Sequence, residues 1–233
     1  MKVSIVIPVY NEKKTIINLL RKVLNIKNID KQIIIVDDGS SDGSTNLIKK
    51  FVKKKKNIKV IFHKKNKGKG AAIKSAVKYI SGEIVIIQDA DLEYNPKDYY
   101  KLLKPFRIKN LKVVYGSRVL NKKRYSLKKK FSTNFRVFAN QILTEFSNII
   151  NRQKLTDAHT CYKVFDSKLF KSFKLNENDF AFCPEVTTKI SKKKIDILEV
   201  PISYNGRGYD QGKKIGIKDA LRVFSVIFKY RYF

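Results

Sequence analysis

Five stretches in the first half of the chain, VSIVIPVY, QIIIVDD, IKVIFH, EIVIIQDA and LKVVYGSR, are rich in Ile and Val and apolar on both faces. A strand with one wet face alternates apolar and polar residues. A continuous apolar run needs cover on both sides, as in a parallel sheet between two helical layers. Segments with helical patterning separate these runs, at 13–24, 44–54, 69–80 and 96–106. Asn95 followed by Pro96 opens the last of them, Asn as a cap and Pro at the first helical position. Repeated βα units predict an α/β fold, a Rossmann-like, doubly wound, mostly parallel sheet.

After Arg118 the rhythm breaks. VLNKKRYSLKKKFS reads as a basic loop, 131–150 as a helix, 184–192 as a short helix and IDILEVPISY as a strand. The closing IGIKDALRVFSVIFKYRYF reads as an amphipathic helix that mixes aromatic and basic residues, suited to core packing or to a membrane interface. No stretch has the composition of a domain linker. The expectation is one domain over 1–233, with 1–118 as its first half and 119–233 as a C-terminal extension.

Charge bounds the partners. Fifty-one Lys and Arg against 20 Asp and Glu give a net charge of +31, which attracts nucleic acid, anionic lipid headgroups or phosphorylated substrates. No zinc-finger spacing or aromatic RNA-binding strand is present, so no specific nucleic-acid partner is expected. A hydrophobic content of 43% is too high for a disordered chain. No apolar run approaches the roughly 20 residues of a membrane span, and MKVSIVIPVYNE has no cleavage site behind it. Cys161 and Cys183 form no framework and fit a reducing, cytoplasmic setting.

Acids gather where parallel strands end. The first strand runs into Pro8, Tyr10 and Glu12, the second into Asp37 and Asp38, the fourth into Asp89, Asp91 and Glu93. Ligands of open α/β sheets bind at that edge. Converging carboxylates call for a hard divalent cation such as Mg²⁺ or Mn²⁺, often shared with substrate phosphates. If 89–93 is extended, its three acids face one side.

VSIVIPVYNE, IIIVDDGSSDGS, NKGKGAAI, DADLEYNP, VVYGSR and EVPISYNGRGYDQGKK stand in the order and spacing of family-2 glycosyltransferases with the GT-A fold. The chain most resembles the polyprenyl-phosphate sugar transferases, the dolichyl-phosphate mannosyl- and glucosyltransferases and their bacterial relatives. The resemblance implies a nucleotide-sugar-binding half over 1–118 and an acceptor-side half over 119–233. It implies a donor of GDP-mannose or UDP-glucose type and a polyprenyl phosphate acceptor. Pro8, Tyr10, Glu12, Val36 and Asp38 match nucleotide contacts, with strand termination and core packing as the plain alternatives for Pro8 and Val36. Asp89 and Ala90 match donor contacts, and Asp89, Asp91 and Glu93 the metal positions, although the family often has Gln where Glu93 stands. Arg118, Arg207 and Lys213 match the cations that grip the diphosphate, so Asp89, Asp91 and Arg118 are the expected catalytic residues.

A leaving diphosphate gathers negative charge, which a metal and these cations stabilise. A hydroxyl acceptor needs a base, whereas a phosphate is already an anion near neutral pH and needs cations. Arg136 and Lys163 are candidates to hold it, each otherwise a solvated cation. Asp157 and Glu185 stand as a base, or else as a turn cap and an ion-pair partner. An inverting single displacement, docked at the cytoplasmic face of a membrane, is expected. The alternatives are a soluble glycan or protein acceptor, or a basic polyanion-binding module without catalysis.

Overall fold

Successive side chains of the central strands feed two separate cores. Val3, Ile5 and Ile7, with Ile33, Ile35, Ile84 and Ile86, face one layer, while Val6, Ile34, Val36, Val85 and Ile87 face the other. This alternation of apolar with apolar is why the strands read as unbroken runs. Each fully buried Ile or Val contributes about 1.5–3 kcal/mol relative to exposure.

The computed structural model describes residues 1–53, 55, 57–108, 111–121, 131–206 and 217–233, with backbone only for 131–136 and 217–219. Seven strands are described: β1 (Lys2–Val9), β2 (Asp30–Asp37), β3 (Ile58–Phe62), β4 (Ile84–Ile87), β5 (Val113–Ser117), β6 (Lys163–Asp166) and β7 (Leu198–Pro201). They form one sheet in the order β3-β2-β1-β4-β6-β5-β7. β1, β2, β3 and β4 pair in parallel, as do β5 and β7. β6 runs against both of its neighbours, β4 and β5. The first core is covered by α1 (Ile16–Leu24), α2 (Ser44–Val52) and α4 (Tyr99–Ile108). The second is covered by α3 (Lys69–Val77), α6 (Ser167–Ser172) and α7 (Phe182–Lys192). α5 (Phe131–Asn151) packs on α8 (Ile217–Tyr232), which in turn lies on α7.

The expected α/β architecture holds, with two differences. β6 lies within a stretch that carries no strand signal, because KVFD begins with a buried lysine and ends with the helix cap of α6. The expected helix at 96–106 opens as a short 3₁₀ turn, Pro96–Asp98, capped by the Asn95 side chain, which accepts from the Lys97 N–H. The expected halves also share one sheet, since β6 from the second half separates β4 from β5.

Candidate donor and acceptor site

Registers of Val9 with Asp37, Val6 with Ile87, and Ser117 with Pro201 bring the carboxyl ends of β1, β2, β4, β5 and β7 to one edge. Tyr10 follows β1 and is 48% exposed, and Pro8 is half-buried within the strand. Asn11 stitches the first two loops together. Its N–H donates to Ser40 Oγ at 3.0 Å, and its side-chain carbonyl accepts from the Ser41 N–H at 2.8 Å. Glu12 starts α1: its carbonyl accepts from the Ile16 N–H at 2.9 Å, and its carboxylate accepts from Thr15 Oγ1 at 2.6 Å.

Two expected nucleotide contacts are committed inside the protein. Val36 is fully buried in the core. Asp38 is buried too, and its carboxylate accepts from the N–H groups of Lys67, at 3.0 Å, and Gly68, at 2.7 Å, with His63 Nδ1 at 2.6 Å. Asp38 therefore fixes the loop before α3 from a position that matches a nucleotide contact. The glycines of that loop have an equally internal reason. A Cβ at Gly68 would lie 2.4 Å from the Asn178 carbonyl oxygen and one at Gly70 2.4 Å from that of Glu177, and Gly68 has φ +96°. The close approach they permit is by the chain's own 177–179 loop.

The acidic turn after β4 departs from an extended segment. Leu92 adopts φ 62°, a left-handed conformation unusual for a bulky residue and a store of strain often found at functional sites. The turn separates the three acids. Asp89 pairs with Lys69 Nζ at 2.5 Å. Asp91 is half-buried and its Oδ1 accepts from the Glu93 N–H at 3.1 Å. Glu93 is buried and accepts from the Tyr204 hydroxyl at 2.8 Å. Ala90 is buried between them. The expected three-carboxylate cluster is thus corrected: among the described residues no three acids, histidines or cysteines stand together to cage a metal. Carboxylate oxygens at a turn do fit a hard cation that completes its shell with substrate phosphate oxygens. Asp91 and Asp89 are the carboxylates of this turn that would offer such oxygens.

Lys69 is a site residue that the sequence reading passed over, since GKG reads as a glycine turn. Burial opposes its charge, but the Asp89 carboxylate outweighs that and holds the ammonium protonated well above its ordinary range. Its Nζ also lies 3.3 Å from Cys161 Sγ, whose thiol burial pushes up to about 12.

Arg118 follows β5 and is clamped by Asp157. Its backbone N–H and Nε donate to Asp157 Oδ2 at 3.0 and 2.7 Å, and Nη2 donates to Oδ1 at 2.7 Å. Glu199 on β7 holds the partner turn, accepting from the N–H groups of Thr156 at 2.6 Å and Asp157 at 2.9 Å. Burial by itself would raise the Asp157 pKa; Arg118 reverses this and holds the carboxyl below the usual range, with a smaller contribution from Lys163. The guanidinium lies 5.2 Å from the Tyr204 ring centroid, so Tyr204 joins the Arg118 side of the site to Glu93. Tyr94, whose hydroxyl accepts from the Cys161 N–H at 3.1 Å, packs against both Tyr162 and Tyr204.

Lys163 is corrected as an acceptor ligand. It is fully buried, its Nζ donates to the Ala158 carbonyl at 2.8 Å and sits 3.7 Å from the Tyr115 ring centroid, out of reach of a phosphate. Glu185 is the expected ion-pair partner: it meets Lys189 Nζ at 2.5 Å and accepts from the N–H groups of Asn176 and Glu177. Arg136 lies on α5 with its side chain outside the described residues, and Arg207 and Lys213 lie outside them altogether.

α5 and α8 frame an open groove of about 760 Å³, lined by Phe146, Leu221, Phe224, Phe228, Phe233 and Lys229. Among the described residues no helix is long and apolar enough to cross a membrane.

The model of glycosyl transferase family 2 matches residues 4–173. A dolichyl-phosphate beta-glucosyltransferase of Trichomonas vaginalis is 25% identical over 98% of this chain and 74% of its own length. A UDP-N-acetylglucosamine--dolichyl-phosphate N-acetylglucosaminyltransferase of Methanococcus voltae is 28% identical over 95% of this chain and 93% of its own. In three dimensions, glucosyl-3-phosphoglycerate synthase of Mycobacterium tuberculosis, solved with Mg²⁺ and UDP, superposes with a TM-score of 0.72 at 15% identity, over 98% of this chain and 79% of that one. The same enzyme with Mn²⁺, UDP and phosphoglyceric acid gives 0.69. The strand order, the acidic turn after β4 and the family match lead to one conclusion: this chain belongs to glycosyl transferase family 2 and is a glycosyltransferase of the GT-A fold.

Proposed function

We propose that the protein moves a hexose from a nucleoside diphosphate sugar to a polyprenyl or dolichyl phosphate, with inversion and with Mg²⁺ or Mn²⁺. The observation that carries the acceptor class is the state of the two candidate bases. Asp157 is locked in a bidentate pair with Arg118, and Glu185 is fully buried against Lys189. A hydroxyl acceptor would require one of them to take a proton. A phosphate acceptor arrives ionised and requires neither. The names of the two relatives support the same class, and the donor of either GDP or UDP type remains part of the proposal.

Asp91 and Asp89 would hold the divalent ion, which when bound offsets the charge growing on the departing diphosphate. Arg118, kept flat by Asp157 and backed by the Tyr204 ring, presents a fixed cation to the same charge, an arrangement that needs no reorganisation during reaction. Tyr10, Pro8 and Glu12 line the donor side. Arg207, Lys213 and Arg136 supply further cations for the diphosphate and the acceptor phosphate.

The exposed apolar residues of α5 and α8, among them Phe138, Ile142, Leu221 and Phe228, dock on an anionic bilayer at its cytoplasmic face. The net charge of +31 complements that surface, and a lipid-borne acceptor demands such contact.

The test is incubation with labelled nucleotide sugars and a short polyprenyl phosphate, with and without Mn²⁺. Product that enters organic solvent and is cleaved by mild acid is expected, and Asp91→Ala abolishes it. Transfer to a soluble glycan instead, or a product that retains the donor's anomeric configuration, would refute the proposal.

A further inference from the structure

Lys69 sits where a lysine is electrostatically disfavoured. It is the first residue of α3, at the positive end of the helix dipole, where acids are preferred, and its side chain is only 9% exposed. The N–H groups that follow are already taken: Gly70 donates to the Asp179 carbonyl at 3.3 Å and Ala71 to that of Asn178 at 2.9 Å. The cationic group offered at this helix end is therefore the Lys69 ammonium. It meets Asp89, itself 15% exposed, at 2.5 Å. It also lies near the Cys161 sulfur, at 3.3 Å, and the Phe180 ring, 5.8 Å to its centroid, neither of which carries the charge needed to offset it.

We propose that Lys69 is a built-in counter-ion that makes binding of the divalent cation depend on the diphosphate. The effect, which rests on the donor reading above, is one of charge. A metal ion approaching alone meets Asp89 already neutralised by an ammonium a hydrogen bond away, so the acidic turn attracts it weakly. A cation arriving with a nucleoside diphosphate brings negative oxygens of its own, which face Lys69 favourably. The lysine thus orders the encounter: cation and donor together. It is a positioning residue, acting through Asp89 on the affinity of the site.

The test needs no turnover. Mn²⁺ binding is followed by electron paramagnetic resonance of the free ion, with protein alone and with UDP or GDP added. Wild type should bind Mn²⁺ weakly alone and more tightly with nucleotide. Lys69→Met should tighten Mn²⁺ binding in the absence of nucleotide about tenfold, the scale expected for removing one nearby positive charge in a partly buried site. By linkage it should lose a matching part of the enhancement between Mn²⁺ and nucleotide. Lys69→Arg should behave as wild type. The double variant Lys69→Met with Asp89→Asn, which removes both charges and guards against misfolding of the single variant, should return Mn²⁺ binding without nucleotide to near the wild-type value. If Lys69→Met lowers the melting temperature but leaves Mn²⁺ affinity unchanged while wild type binds normally, the role is structural and the inference fails alone. If no protein binds Mn²⁺ under any condition, it fails together with the donor reading.

Discussion

Replacing Asp157 by Asn separates a clamp from a base. The side chains of Arg118 and Asp157 are 14% and 4% exposed, which places the pair among buried ion pairs, where removing one partner costs about 3–5 kcal/mol because the other charge stays buried. Asn is nearly the same size and keeps one acceptor, so Asp157→Asn should lose about 3 kcal/mol in urea unfolding. Arg118→Met should lose a similar amount. With the charge gone from both sides, the double variant should fall well short of the sum, a coupling of about 2 kcal/mol or more. In the transfer assay Asp157→Asn should raise the donor KM and lower kcat, since Arg118 loses its orienting carboxylate. A base would behave otherwise. Asp157→Asn would then abolish turnover while stability stayed within about 0.5 kcal/mol of wild type, and no coupling to Arg118 would appear. That outcome would refute both the clamp and the argument that the acceptor arrives ionised.

Gly68→Ala forces a Cβ to within 2.4 Å of the Asn178 carbonyl oxygen at a φ of +96°, and should destabilise by about 2 kcal/mol or more in thermal or urea unfolding. His159 supplies a pH dependence: burial holds its imidazole down to about 4 in the folded protein. The unfolded chain protonates near the ordinary value of about 6.5, so its contribution is fully present above that and is lost as pH falls toward 4. The loss is about 2–3 kcal/mol over that window, and urea unfolding of His159→Gln should show a flatter profile than wild type. Flotation with vesicles containing anionic lipid should carry the protein at low salt, and Leu221→Asp with Phe228→Asp should leave it at the bottom of the gradient.

The strands were readable because each is apolar on both faces, a pattern that solvent-exposed strands do not show. Four-residue β6 escaped because Lys163 and Asp166 disguise it; its burial depends on the Ala158 carbonyl and the Tyr115 ring, neither of which is a sequence neighbour of the kind periodicity detects. Asp89 and Asp91 were legible from their place at a strand end. Their separation was not, because nothing in DADLE announces that Leu92 turns left-handed. The Asp157 clamp is 39 residues from Arg118, a contact that no local pattern of the sequence displays. Lys69 was hidden by its glycines, which drew attention to backbone approach and away from the side chain between them.

β5 has a consequence for how the molecule comes into being. Its two hydrogen-bonded neighbours, β6 and β7, are both made later than itself. A fragment ending at Ser117 would carry β1 to β4 with an unfilled edge on β4 and would leave VVYGS without a ladder. During synthesis the fifth strand must therefore wait without a ladder beside α4 until β6 and then β7 emerge as far as Pro201. Such long-range pairing slows folding and leaves an adhesive edge open meanwhile. A split of the gene between the two halves should yield pieces that recover activity only when expressed together.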